Sequence, residues 1–290
     1  MASAKDLKKQ IQSISNTKKI TRTMEMVSAA KAKQTQGRVE ANTPYAEKMN
    51  ELMDGLGGAS AIDHPLLKTP EGVKRNALLV ISANRGLCGG YNTNVLVRSE
   101  KWVAAQKEQG RETDIYMIGK KGIARAKFQK TSLHAQYTEF DDRPSFEQAR
   151  ELAEGFMTRF LKGEVDQVWV LSTRYFTAAV QRPELTQLLP IQPSESEDEG
   201  DGAAAGEFIF EPDPRSILES LLPFSVNQLM YRLLIEAACS EQLARRMAMK
   251  LATDNAEELT KTYTRKYNRQ RQAGITQQIM EIVGGAEALE

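Results

Sequence analysis

The chain has 290 residues, room for one large domain or two modest ones. A hydrophobic share of 41% argues against disorder, and an aromatic share of 7% beside plentiful Ala, Gln, Lys, Arg, Glu and Met favours long helices over an all-β core. The net charge is only +1 but unevenly placed: Lys5 to Arg38 is strongly basic, opposed there only by Asp6 and Glu25, while acids gather at Glu195, Glu197, Asp198, Glu199 and Asp201.

From Ala4 to about Gly55 the pattern predicts one long helix. Leu7, Ile11 and Ile14 fall at spacings of four and three, and Ile20, Met24 and Val27 repeat that spacing. Such a narrow apolar seam suits a coiled coil better than a helix lying on a broad core. The six-residue step between the two groups predicts an irregular supercoil. Pro44 is expected to kink the helix or split off its last turns, and Gly55, Gly57 and Gly58 to end it.

The middle of the chain alternates strands with helices. Strands are predicted over 77–83, 114–118, 133–137 and 167–172, with helices from about Asn92 and over 145–161. Gly119 and Gly122 read as a turn, Ser194 to Gly206 as an acidic surface loop, and Phe208 to Phe210 as a short strand. Pro212-Asp213-Pro214 opens another helix, with Asp213 as N-cap and Pro214 at the first helical position, and Pro223 is expected to interrupt it.

Between Ser225 and Val283 there is no proline and one internal glycine, Gly274. Such a stretch makes a rod of roughly 80–90 Å. Leu233, Ala237, Ser240, Ala244, Met247 and Leu251 alternate four and three along one seam. Neither long helix can bury its seam alone, so the predicted fold is an antiparallel coiled coil of the two ends with an α/β, Rossmann-like domain inserted between them. The expected boundaries are 1–58 for the first helix, 75–211 for the α/β domain and 212–290 for the second helix. Placing Pro44 and Pro223 together at the base makes partner numbers sum to about 268. That register sets Ile20 beside Met247, Met24 beside Ala244 and Val27 beside Ser240, and it leaves everything beyond Asn268 unpaired.

Catalytic motifs are not apparent. Gly86-Leu87-Cys88-Gly89-Gly90 follows a strand but lacks the Lys-Ser/Thr of a phosphate loop and the dinucleotide glycine spacing, so a tight turn fits better. His64 and His134 are isolated, and Cys88 and Cys239 show no metal or redox spacing, so no cofactor or metal is expected. Apolar runs are far too short to cross a bilayer, and no N-terminal signal segment is visible, which predicts a reducing, cytoplasmic setting. The basic first helix lacks stacking aromatics apart from Tyr45, against nucleic acid. Residues alone leave three readings: a shaft-like structural subunit, a coiled-coil adaptor with an α/β binding module, and a nucleotide-dependent enzyme.

Four stretches decide among them by resemblance. Ile14-Ser15-Asn16-Thr17-Lys18-Lys19-Ile20-Thr21-Arg22-Thr23-Met24-Glu25-Met26-Val27 resembles the N-terminal signature of F-type ATP synthase gamma subunits. So do the turn from Ser82 to Asn92, the stretch Met249 to Ala256, and Tyr267 to Thr276 with Glu281 to Ala286. The resemblance implies a non-catalytic rotor shaft within a ring of alpha and beta subunits, coupling ion flow through a membrane ring (c-ring) to ATP synthesis or hydrolysis at beta and regulating ATPase activity. It implies contacts to the alpha/beta ring at Met24, Arg245, Arg271, Gln272 and Thr276, and to epsilon and the membrane ring at Phe208, Phe210 and Glu211. Where this chain has Phe208 and Phe210, family members often carry Tyr, and Arg246 and Met247 also depart from the usual order. The implied place is the cytoplasmic face of a bacterial inner membrane, peripheral, one copy per complex.

Overall fold

The computed structural model describes residues 4–57, 64–68, 70, 72–192 and 214–287. The elements run α1 (Ala4–Gly57), β1 (Arg75–Ile81), α2 (Tyr91–Glu108), β2 (Glu112–Ile118), α3 (Lys120–Phe128), β3 (Ala135–Tyr137), α4 (Phe146–Leu161), β4 (Gln167–Tyr175), β5 (Gln181–Leu189) and α5 (Pro214–Glu287). They divide into two units: 30–244, which holds the sheet, and 1–29 with 245–290.

In the sheet unit the strands order as β3-β2-β1-β4-β5, the first four parallel and β5 antiparallel to β4. The run Ala77 to Ile81 is continuously apolar because β1 is covered on both faces. Leu78 and Val80 pack with Val95 and Leu96 of α2, while Ala77, Leu79 and Ile81 join a larger core with Phe156 of α4 and Val226 and Met230 of α5. Ser145 caps α4: its Oγ accepts from the Gln148 amide at 3.1 Å and the Gln148 side chain accepts from the Ser145 amide at 3.0 Å.

Two elements escape the sequence pattern. Gly119 and Gly122 do not form a mere turn but start α3. Gly119 has φ 96°, and a Cβ there would sit 2.1 Å from the Ser82 carbonyl oxygen. A Cβ at Gly122 would lie 2.4 Å from Met117 Sδ. Both glycines therefore serve close packing of helix on sheet. Strand β5 is polar and contains Pro183, tolerable because this strand lies at the sheet edge. The predicted strand over 208–210, the N-cap at Asp213 and the loop over 194–206 lie outside the described residues.

The last turns of α1 are not split off at Pro44, and Pro223 does not interrupt its helix as expected. Pro44 lies inside α1 and Pro223 inside α5, and neither helix is broken. Pro44 is exposed, so the carbonyl left without an amide partner is open to water. Around Pro223, buried Leu222 and Val226 anchor the helix on the core and offset the lost hydrogen bond.

The helix segments of the sheet unit meet through Ala32 and Val39 against Ile235, Cys239 and Leu243. Gln228 donates to Asn42 at 2.6 Å. Asp142 accepts from both Lys31 and Gln242, tying the loop before α4 to the two helices. Glu236, almost fully buried, accepts from Arg232 Nε at 2.7 Å and from the Tyr175 amide at 3.4 Å.

In the other unit the ends of α1 and α5 pair antiparallel. The hydroxyl oxygens of Thr21 and Thr253 lie 2.8 Å apart, and Lys18 Nζ meets Glu257 at 2.9 Å. Those residue numbers add to 274 and 275, not to about 268. The half-buried or buried line on α1 is Leu7, Ile11, Ile14, Lys18, Thr21, Glu25 and Ser28, an unbroken heptad alternation of four and three. On α5 it is Met249, Thr253, Ala256, Thr260, Tyr263, Tyr267 and Gln270. The expected seam is thus corrected: Ile20 is 60% exposed, Val27 51% and Met247 52%, and Leu251 is exposed too. Around Thr21, Ser28, Thr253 and Ala256 small and hydroxyl-bearing residues take the interior and let the backbones approach, while the neighbouring Ile20, Val27, Met247 and Leu251 are left outside.

Candidate interaction surfaces

The register places Ala4 opposite about Gln270, so α1 runs out where α5 continues. Every residue from Arg271 to Gly285 is exposed. This free end carries Arg271, Gln272 and Thr276, and the Thr276 hydroxyl donates back to the Gln272 carbonyl at 3.0 Å. Ile275, Ile279 and Ile282 stand at helical spacing on it, with Met280 and Val283 beside them, all exposed. An apolar stripe on a lone helix has no protection from water and calls for a partner surface.

A second surface lies lower on the same helix pair. Ile20, Met26 and Val27 on α1 and Met247, Leu251 and Leu259 on α5 are exposed apolar side chains. Counting heptads onward from Leu7 would have found it, since Ile20 and Val27 each fall one residue before an interior position. Met24 is half-buried and Arg245 buried, so of the five residues expected to face the ring, Arg271, Gln272 and Thr276 are the ones brought to an open surface. Phe208, Phe210 and Glu211 lie outside the described residues.

The glycine turn closes on itself. Leu87 and Gly89 both take positive φ, near 60°. The Ala83 amide donates to Asn92 Oδ1 at 2.9 Å, the Lys120 amide to Asn84 Oδ1 at 3.1 Å, and Asn84 Nδ2 to the Phe140 carbonyl at 2.8 Å. These bonds splice the turn to its neighbours and leave the asparagine side chains engaged. Burial pushes the Cys239 thiol pKa up, so it stays protonated at neutral pH. His64 Nδ1 accepts from the Leu66 amide at 3.2 Å, and among the described residues no cluster of His, Cys, Asp or Glu could hold a metal ion. No described helix is long and apolar enough to cross a membrane.

The ATP synthase family model matches residues 3–289, nearly the whole chain. The chain belongs to the ATP synthase gamma-chain family. It is 46% identical to the ATP synthase gamma chain of Leptospira biflexa, with 100% of both chains covered, and 39% identical to that of Frankia casuarinae, covering 98% of this chain and 97% of the relative. The mitochondrial ATP synthase of Euglena gracilis, solved as OSCP/F1/c-ring in one rotational state, includes a chain of like fold, with a TM-score of 0.71 at 21% identity over 99% of this chain and 94% of that one. A gamma chain is the central-stalk, non-catalytic subunit of a membrane-associated complex. The family expected from the sequence is therefore the family found.

Proposed function

We propose that this gamma-family chain turns as the central shaft of an F-type ATP synthase, transmitting ion flow through a membrane ring to ATP synthesis or hydrolysis at beta subunits. The observation that carries this is the unpartnered end of α5, with an apolar stripe over Ile275–Val283 beside the polar Arg271, Gln272 and Thr276. A shaft end needs a sleeve that excludes water from the stripe yet grips it loosely enough to slide. Arg271, Gln272 and Thr276 meet the alpha/beta ring there, and the exposed flank around Met24 and Met247 meets beta lower down, with Arg245 held inside the helix pair behind it. Phe208, Phe210 and Glu211 contact epsilon and the membrane ring. The complex holds one copy, at the cytoplasmic face of a bacterial inner membrane, peripheral through its partners. Purification of the tagged chain from membranes tests the assignment: alpha, beta, epsilon and ring subunits should accompany it. Recovery of the chain without them would contradict it.

A further inference from the structure

Within the sheet unit the two long helices are held to the sheet in different ways. On α5, Leu222, Val226 and Met230 lie in the core shared with the strands and α4, but among the described residues that core contains nothing from α1. Instead α1 packs through Ala32 and Val39 on Ile235, Cys239 and Leu243 of α5, with Tyr175 at the end of β4 alongside. Close to where the unit ends, at Ala30 and Ala244, direct packing of helices on sheet also gives way. A cleft of about 560 Å³ lies there, lined by Ile81 and Ile118, the last residues of β1 and β2, and by Lys31, Thr35 and Ala238 of the helices.

The loop between β3 and α4 bridges this gap. Asp142 accepts from Lys31 Nζ of α1 and, at 2.7 Å, from Gln242 Nε2 of α5, while Arg143 donates to Gln34 Oε1 of α1. Gln242 is 1% exposed, and Lys31 and Asp142 are half-buried. Among the described residues, the hydrogen bonds that tie 30–57 of α1 to the sheet side of the unit both end on this loop. Apolar contact is non-directional and lets one helix roll on another, whereas hydrogen bonds fix an angle. The loop therefore restrains the motion that packing leaves free, which is rotation of α1 about α5.

We propose that Asp142, seconded by Arg143, is a positioning clamp through which twist passes between the sheet and both long helices. This rests on the turning-shaft reading. A turning shaft is driven at one end and resisted at the other, so the joint between sheet and helices carries the load. With the clamp closed, α1 and α5 turn together with the sheet. With it open, part of each turn is taken up as rolling of α1 and is not delivered to the far end.

ATP-driven ion pumping by the intact complex in membrane vesicles, with and without an opposing ion gradient, tests this. Against the gradient, Asp142→Ala should lower the ions pumped per ATP about three-fold, the loss of a charged hydrogen-bonded pair. Pumping without the gradient, and hydrolysis in leaky vesicles, should match the parent. Asp142→Asn keeps an oxygen for Gln242 and loses only the charge, so it keeps the fold and should fall between. Lys31→Asp should fail under load as Asp142→Ala does. Lys31→Asp with Asp142→Lys should recover, because the pair is rebuilt with its charges exchanged and the Gln242 amide can turn its oxygen toward the lysine. Co-purification of the other subunits confirms assembly independently. The proposal is overturned if Asp142→Ala and Asp142→Asn pump like the parent under load, if their losses are the same with and without the gradient, or if the exchanged pair behaves like the single changes. A parent complex that hydrolyses ATP without pumping would overturn the shaft reading itself, and the clamp with it.

Discussion

The hydroxyls of Thr21 and Thr253 meet at 2.8 Å inside the helix pair, both nearly buried, and they set its register. A disulfide tests that register, since the bond needs Cα atoms within about 7 Å. With Cys88 and Cys239 changed to Ser, Thr21→Cys with Thr253→Cys should oxidise readily. Thr21→Cys with Met247→Cys, the pairing of the alternative register, should not. Preferential closure of the second pair would mean the helices slide by about two turns relative to the structure.

The same contact predicts a non-additive mutant series. Thr21→Val or Thr253→Val alone removes one partner from a buried polar pair and should cost about 1 kcal/mol. The double Val variant replaces both with groups of the same shape, so its melting temperature should be no lower than that of either single variant. Losses that simply add would show that the two hydroxyls do not interact.

Why the sequence misplaced this seam follows from which residues line it. Leu7, Ile11 and Ile14 announce themselves by hydropathy, but Thr21, Ser28 and Thr253 do not, and Ile20, Val27 and Met247 beside them do. Apolar residues kept outward for a partner mimic an interior stripe, and only the strict heptad count separates the two. The buried strands were plain because β1 is apolar along nearly its whole length. Strand β5 was hidden by its polar residues and Pro183, and α3 by glycines that serve packing. The free end of α5 was legible because Arg271 and the residues after it face no described residue of α1 in either register.

Acid should loosen the helix pair through Glu257. Lys18 first, and then Lys261, hold its carboxyl below the ordinary 4.5. A lowered folded value means its contribution is present above the usual carboxylate range and is lost as pH falls through the folded value. The pair's melting temperature should therefore drop as pH falls below about 4.5, and Glu257→Gln should flatten part of that slope. An unchanged acid slope in the variant would remove Glu257 from the explanation.

Glu236 supports the sheet unit. Its buried carboxylate accepts from Arg232 and the Tyr175 amide, with Arg174 Nε 4.0 Å away, joining the end of β4 to α5. Glu236→Ala strands these donors and should cost about 2 kcal/mol. Urea unfolding followed by tryptophan fluorescence reads this out, since Trp102 and Trp169 both lie in the unit. A midpoint within error of the parent would contradict the assigned role.

The turning-shaft reading stands on the open end of α5, and ATP-driven ion pumping in membrane vesicles examines it. Arg271→Ala with Gln272→Ala alters exposed residues that the proposed function sets against the surrounding ring. Deletion of Glu195–Asp201 removes a run with no apolar residue to anchor a partner. Pumping per unit of ATP hydrolysed, or the amount of assembled complex, should fall far more in the double substitution than in the deletion. Equal losses in the two variants, or none in the first, would contradict the assignment of this helix end to the bearing.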